Sequence, residues 1–141
     1  MPFEINARPE ISAIEIRMSG RLTIEELRTL IVEVTSLAKT TGIRRALADC
    51  RDYEGGTSLG EVYFLTKDIT ERAAHLRGPE AIIAPKNPRA AADVEFYAMA
   101  ARNRGSNVWI FATREAAIEW LRYDGRADSR PPAEPNEPRR R

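Results

Sequence analysis

Apolar and polar residues alternate through the first twenty positions. Phe3, Ile5 and Ala7 mark one run, Pro9-Glu10 interrupts it, and Ile14, Ile16 and Met18 mark a second that closes at Ser19-Gly20. A period of two is that of a half-buried strand, so two such runs predict a hairpin. The period then changes. Leu27, Leu30, Ile31, Val34, Leu37 and Ala38 form one helical stripe. Thr23 and Glu26 precede it at the spacing of a capping box, and Gly42 follows it where a left-handed cap is wanted.

Arg45 to Cys50 is a short, nearly continuous apolar run, as expected of an interior parallel strand. A loop from Asp49 to Gly60 leads into a helix starting near Ser58, with Val62, Leu65, Ile69, Ala73 and Leu76 inward and Gly78-Pro79 as its stop. Ala81 to Ala84 is the next strand. Asn87-Pro88 caps and opens a helix running to about Asn103, with Gly105 beyond it. Val108 to Phe111 is the last strand. Thr113 caps a final helix in which Ala116, Ala117, Trp120 and Leu121 share a face. Strand and helix thus alternate after the hairpin. The expected fold is α/β, a mixed, mostly parallel sheet of about five strands with an N-terminal antiparallel hairpin and four helices.

The pattern is lost from about Arg126. The last sixteen residues hold four of the nine prolines and nothing apolar larger than alanine. They cannot bury enough surface to offset the entropy of ordering. The expectation is one domain over residues 1–123 and a disordered Pro/Arg-rich tail over 124–141. Arg139-Arg140-Arg141 gives the tail a basic end suited to an acidic partner or membrane surface, or simply to solubility.

Composition narrows the function. Lys and Arg total 22 against 21 Asp and Glu, which lacks the basic excess of a nucleic-acid binder. No apolar run approaches the ~20 residues of a membrane span, and the N-terminus carries no secretory pattern. One cysteine makes no internal disulfide, and the expected compartment is the cytoplasm.

Three segments carry a family resemblance. They are Met18-Ser19-Gly20-Arg21-Leu22-Thr23-Ile24-Glu25-Glu26-Leu27, Ala46-Leu47-Ala48-Asp49-Cys50-Arg51-Asp52, and Val108-Trp109-Ile110-Phe111 followed by Glu115 to Leu121. Together with the element order they resemble the STAS-like family, most closely its small stand-alone stage II sporulation protein AA-like bacterial branch. The resemblance spans roughly Phe3 to Leu121. It implies a domain that works by binding rather than catalysis, with no cofactor. In the antagonist branch a serine at the start of the second helix is phosphorylated, and Ser58 holds the comparable place. The antagonist pattern has an aspartate and a second serine at this turn; here Gly55-Gly56-Thr57 precedes Ser58. The branch is also compared in fold with CRAL-TRIO lipid-binding domains, which implies a small apolar ligand as an alternative.

The candidate residues follow. Ser58, three residues before Glu61, is a helix cap and a phosphoacceptor candidate at the positive end of a helix dipole. Asp49, Asp52, Tyr53, Gly55, Gly56 and Thr57 form the candidate binding loop. Asp49 and Asp52 are also solvated loop acids, or an acid–base or cation pair lacking a third ligand. Gly55-Gly56 lacks the lysine and spacing of a phosphate loop and is expected to supply flexibility. Cys50 is a core residue or a nucleophile with the single histidine, His75. One of each makes a zinc site within the chain very poor chemistry.

The third helix carries two apolar stripes, Val94, Tyr97, Ala98 and Ala101 on one side and Ala92, Phe96 and Met99 on the other. Glu95 and Arg102 divide them on one flank, Arg89 and Asp93 on the other. Packing on a sheet needs one stripe, so the second packs on a neighbouring helix or forms a homodimer surface from Phe96 and Met99 with Tyr63 and Phe64. The leading expectation is a non-catalytic cytoplasmic interaction or regulatory module partnered by a protein or itself. The alternative is a carrier of a small apolar or lipid-like ligand, favoured by small residues on the sheet such as Ala46, Ala48, Ala81 and Ala84. An enzyme using Asp49, Asp52 or Cys50 with Lys86 or Arg51 comes last.

Overall fold

The computed structural model describes residues 2–72 and 78–124. Chain order runs β1 (Phe3–Arg8), a 3-10 turn (Pro9–Ile11), β2 (Ala13–Arg21), α1 (Ile24–Thr41), β3 (Arg45–Gly55), α2 (Leu59–Arg72), β4 (Glu80–Ile83), α3 (Pro88–Asn103), β5 (Val108–Phe111), α4 (Arg114–Glu119) and a π-helical turn (Trp120–Asp124). The five strands lie in the order β1-β2-β3-β4-β5. β1 and β2 are antiparallel; every later pair is parallel. The expected α/β architecture is present, with the hairpin at one edge. Ala73, Leu76, His75 and the tail after Asp124 lie outside the described residues.

The caps are built as their spacing predicts. Thr23 Oγ1 accepts from the Glu26 N–H, and Glu26 returns a carboxylate to the Thr23 N–H at 2.9 Å. Asn87 Oδ1 accepts from the N–H groups of Arg89 and Ala90 ahead of Pro88. Thr113 Oγ1 accepts from Ala116. Each satisfies donors that a helix start leaves free.

Two cores flank the sheet. Ile14, Ile16, Ala48, Cys50, Tyr53 and Ile82 face the first, under α1, α2 and α3. Ala13, Leu47, Ala81, Ile83 and Phe111 face the second, where α4 brings Ala117, Trp120 and Leu121. A sheet covered on both faces buries both parities of its strands. Hence β2, which alternates like a half-buried strand, is buried at four successive positions from Ala13 to Ile16.

β3 departs most from expectation. It runs to Gly55 instead of stopping at Cys50, because β2 extends to Arg21 and offers a partner that far. Arg17 pairs with Asp49 and Ser19 with Asp52, so β3 carries one extra residue there. That bulge reverses the alternation. Cys50 and Tyr53, three apart, therefore face the same core.

Candidate functional site

Helix α2 packs chiefly against α3 and more lightly on α1. It bridges the two helices that lie on the sheet. Beneath the bridge is a cavity of about 260 Å³. Its floor is one face of the sheet, from Ile14, Ile16 and Met18 through Ala46, Ala48 and Cys50 to Ile82 and Val108. Its walls are Leu30 and Val34 of α1, Val62, Leu65 and Ile69 of α2, and Val94 and Tyr97 of α3. Of the four small residues marked in the sequence, Ala46 and Ala48 line it. Ala81 faces the opposite core, and Ala84 follows the end of β4.

Few polar groups reach the cavity. The Tyr97 hydroxyl donates to Glu80 Oε1 at 2.7 Å. Burial pushes the Glu80 carboxyl above the usual range, and burial together with that acid raises the Tyr97 phenol well above its own. Asp93 is only 7% exposed, and its Oδ2 has no hydrogen-bond partner among the described residues. Desolvation raises its pKa, with Arg89 opposing. Tyr53, on the same lining, is raised by burial, with the Thr57 hydroxyl beside it. The helical pattern put Asp93 on a solvated flank of α3, and the structure buries it. Its neighbours in sequence gave the signal: Ala90, Val94, Tyr97, Ala98 and Ala101 surround it on the inward face.

The expected binding loop is mostly strand. Asp49, Asp52, Tyr53 and Gly55 belong to β3, and only Gly56, Thr57 and Ser58 form the connection. Asp49 and Cys50 point to opposite faces. Asp49 lies among arginines, with Arg51 at 2.7 Å and Arg17 at 3.8 Å. The Arg51 hydrogen bonds hold it below the usual carboxylate range against its burial. Cys50 lies in the apolar core beside the Met18 sulfur, and burial drives its thiol pKa far upward. A neutral buried thiol is not a nucleophile. Asp52 is exposed. Lys86 meets β3 through its backbone N–H, bonded to the Arg51 carbonyl. These groups do not converge on one cleft. Among the described residues no cluster of three or more His, Cys, Asp or Glu could hold a metal ion.

Gly55 and Gly56 are required by packing rather than by flexibility. A Cβ on Gly56 would lie 2.6 Å from the Leu22 carbonyl oxygen, and its φ is +121°. A Cβ on Gly55 would lie 3.2 Å from Asp93 Oδ2. Ser58 then opens α2 with a second reciprocal cap. Its Oγ accepts from the Glu61 N–H at 3.1 Å, and Glu61 Oε1 accepts from the Ser58 N–H at 2.9 Å. The residue is exposed.

Beyond Ser58, α2 exposes Leu59, Tyr63 and Phe64, the last 67% accessible, and α3 exposes Met99. Phe96 is half-buried. The Arg104 guanidinium lies over the Tyr63 ring, 5.6 Å from its centre, and ties the end of α3 to α2. A charged cluster that the sequence did not mark sits on the α4 face of the sheet. Glu15, 3% exposed at its side chain, contacts Arg8, Arg17 and Arg114 beside Asp49 with Arg51.

No family model matches the chain, and no curated protein is similar to it in sequence. Solved structures are similar in fold. The anti-sigma factor antagonist SpoIIAA in its unphosphorylated form aligns with a TM-score of 0.55 at 16% identity, covering 86% of this chain and 98% of that one. An uncharacterised DUF3478 protein with a SpoIIAA-like fold from Shewanella loihica aligns with a TM-score of 0.57 at 19% identity, covering 84% and 91%. The protein TM1081, solved by NMR, aligns with a TM-score of 0.54 at 20% identity, covering 86% and 88%. The five-stranded sheet, its antiparallel edge and its four helices are thus those of the SpoIIAA-like, STAS-type fold.

Proposed function

We propose that this domain is a non-catalytic binding module that holds a small apolar molecule between its sheet and helices α1 to α3. The apolar cavity of about 260 Å³ carries this reading. Protein interiors are close-packed, with few voids larger than a water. A half-open apolar cavity leaves its lining without those packing contacts and sets apolar surface against water. An apolar occupant recovers the lost contacts, whereas water gains few partners there.

Native mass spectrometry of protein purified from its own host tests the reading. The expected result is extra mass that disappears on denaturation. A bare chain, with a melting temperature unmoved by saturating medium-chain alcohols, would overturn it, since a ligand at a hundred times its Kd adds about 2.7 kcal/mol.

A second reading is a regulatory protein-interaction module, favoured by the exposed Ser58 next to the exposed apolar Leu59, Tyr63 and Phe64. SpoIIAA is named as an antagonist with an unphosphorylated form. A phosphate on Ser58 would displace the Glu61 cap and sit at the positive end of α2. Tyr63, Phe64, Phe96 and Met99 then offer a surface to a protein partner or a second copy. Sedimentation at tens of micromolar gives the oligomeric state. Binding of an identified partner that is unchanged by Ser58→Asp would remove the switch.

A further inference from the structure

The cavity has a polar point. Asp93 enters it from α3, and Oδ2 is buried with no hydrogen-bond partner among the described residues. Next to it, Gly55 carries no side chain, and a Cβ there would crowd that oxygen at 3.2 Å. A buried acceptor without a donor is a costly arrangement that a ligand donor relieves. Among the other polar lining groups, Tyr53 lies within the field of Asp93 and does not hydrogen-bond Oδ2. Glu80 already accepts from Tyr97. Arg44 is exposed and Arg45 half-exposed, at the opposite end of β3, where water satisfies both.

We infer that Asp93 is the head-group acceptor of the cavity, and that the ligand is a medium-chain apolar molecule ending in a hydrogen-bond donor, an alcohol or an ammonium, rather than a fatty acid. This rests on the cavity being a ligand site. An apolar cavity of about 150 Å³ holds benzene, so this one holds on the order of ten non-hydrogen atoms. The body lies over Ala48 and Cys50 against Val62 and Val94, and the head meets Oδ2. A carboxylate head would face the Asp93 carboxylate as a like charge. An exposed arginine gains little from capturing that head, because water already serves it. The gain lies at the buried oxygen.

Calorimetric titration of the full chain at neutral pH with 1-octanol, octylammonium and octanoate tests the assignment. Wild type should bind the alcohol and the amine at least about tenfold more tightly than the acid, the worth of one hydrogen bond to a charged group. Asp93→Ala should weaken the first two to the level of octanoate while leaving octanoate unchanged or improved. Ala48→Leu, which fills the floor, should abolish all three. The wild-type preference is a test that does not depend on how any variant folds. Octanoate binding as tightly as 1-octanol, or a preference that survives in Asp93→Ala, overturns the head-group assignment alone. If wild type binds none of the three, the ligand-site reading falls and the assignment with it.

Discussion

Arg114, at the start of α4, grips Glu15 in β2 with two guanidinium nitrogens, 2.8 and 2.9 Å from the two carboxylate oxygens. Ninety-nine residues separate them in sequence. Arg8 adds a third contact at 3.2 Å from the neighbouring strand. The pair fastens the last helix to the sheet and balances a charge that strand β2 buries. Removing Glu15 leaves part-exposed arginines that water can serve, so Glu15→Ala should cost on the order of 1 kcal/mol in urea unfolding. Arg114→Ala should cost more, about 2 kcal/mol, because it leaves the buried Glu15 carboxylate with the more exposed Arg8 and Arg17.

The same cluster sets a pH dependence. Arg114 holds Glu15 below its ordinary value of 4.5, and Arg51 holds Asp49 below 3.8. A depressed carboxylate contributes stability that is complete above its unfolded value and lost as pH falls through the folded one. The contribution should therefore be whole at neutral pH and should fade below about pH 4.5. Melts from pH 7 to pH 3 should show wild type losing more stability than Glu15→Gln over that range.

Glu80 runs in the other direction. Burial raises its carboxyl above the ordinary 4.5. In that case the unfolded chain ionises first, and stability falls as pH rises from the unfolded value through the folded one. Glu80→Gln removes the ionisable carboxyl and retains a partner for the Tyr97 hydroxyl. Its stability relative to wild type should improve between pH 4.5 and pH 8, read from paired urea titrations. A constant difference across that range would mean that Glu80 stays hydrated in the cavity.

The elements were legible because each carries its own local signal. Thr23 with Glu26, Asn87 with Pro88, and Thr113 each mark a helix start that needs no distant contact. The hairpin is written in the alternation of Phe3, Ile5, Ile14 and Ile16. Ser58 and Glu61 form the reciprocal cap their spacing predicts. What escaped depends on contacts made across the fold. Glu15 looks solvated beside Ile14 and Ile16 until α4 returns to cover that face. The bulge after Asp49 arises in the pairing with β2, so β3 alone gives no sign that Tyr53 joins Cys50. Asp93 looks like a flank residue until the end of β3 brings Gly55 against it. The cavity itself is a gap between elements, and no run of residues encodes it.

Gly56 is a steric requirement with a measurable cost. Its backbone is in a region that side chains rarely adopt, and the Leu22 carbonyl closes the space where Cβ would stand. The Leu22 N–H in turn bonds the Gly55 carbonyl, so the two segments cannot separate freely. Gly56→Ala should cost about 2 kcal/mol or more, beyond the small gain that alanine brings by restricting the unfolded chain. Gly60, whose Cβ would meet only the Ser58 hydroxyl at 3.9 Å, is the control. As a helix residue without a side chain, it should gain stability on Gly60→Ala by up to ~1 kcal/mol.

Ser58 separates stability from regulation. Ser58→Ala deletes the acceptor for the Glu61 N–H and should cost about 1 kcal/mol in thermal or urea unfolding. Aspartate caps a helix about as well as serine and adds a negative charge at the positive end of α2. Ser58→Asp should therefore melt within a few tenths of a kcal/mol of wild type, allowing for some repulsion from Glu61. Thr23→Ala, the same deletion at the start of α1, calibrates the cost of losing a cap in this fold. With stability held, any loss of a partner in Ser58→Asp reports the charge at the exposed end of α2. A Ser58→Asp variant that melted like Ser58→Ala would instead show that Glu61 and the new carboxylate cannot share the turn.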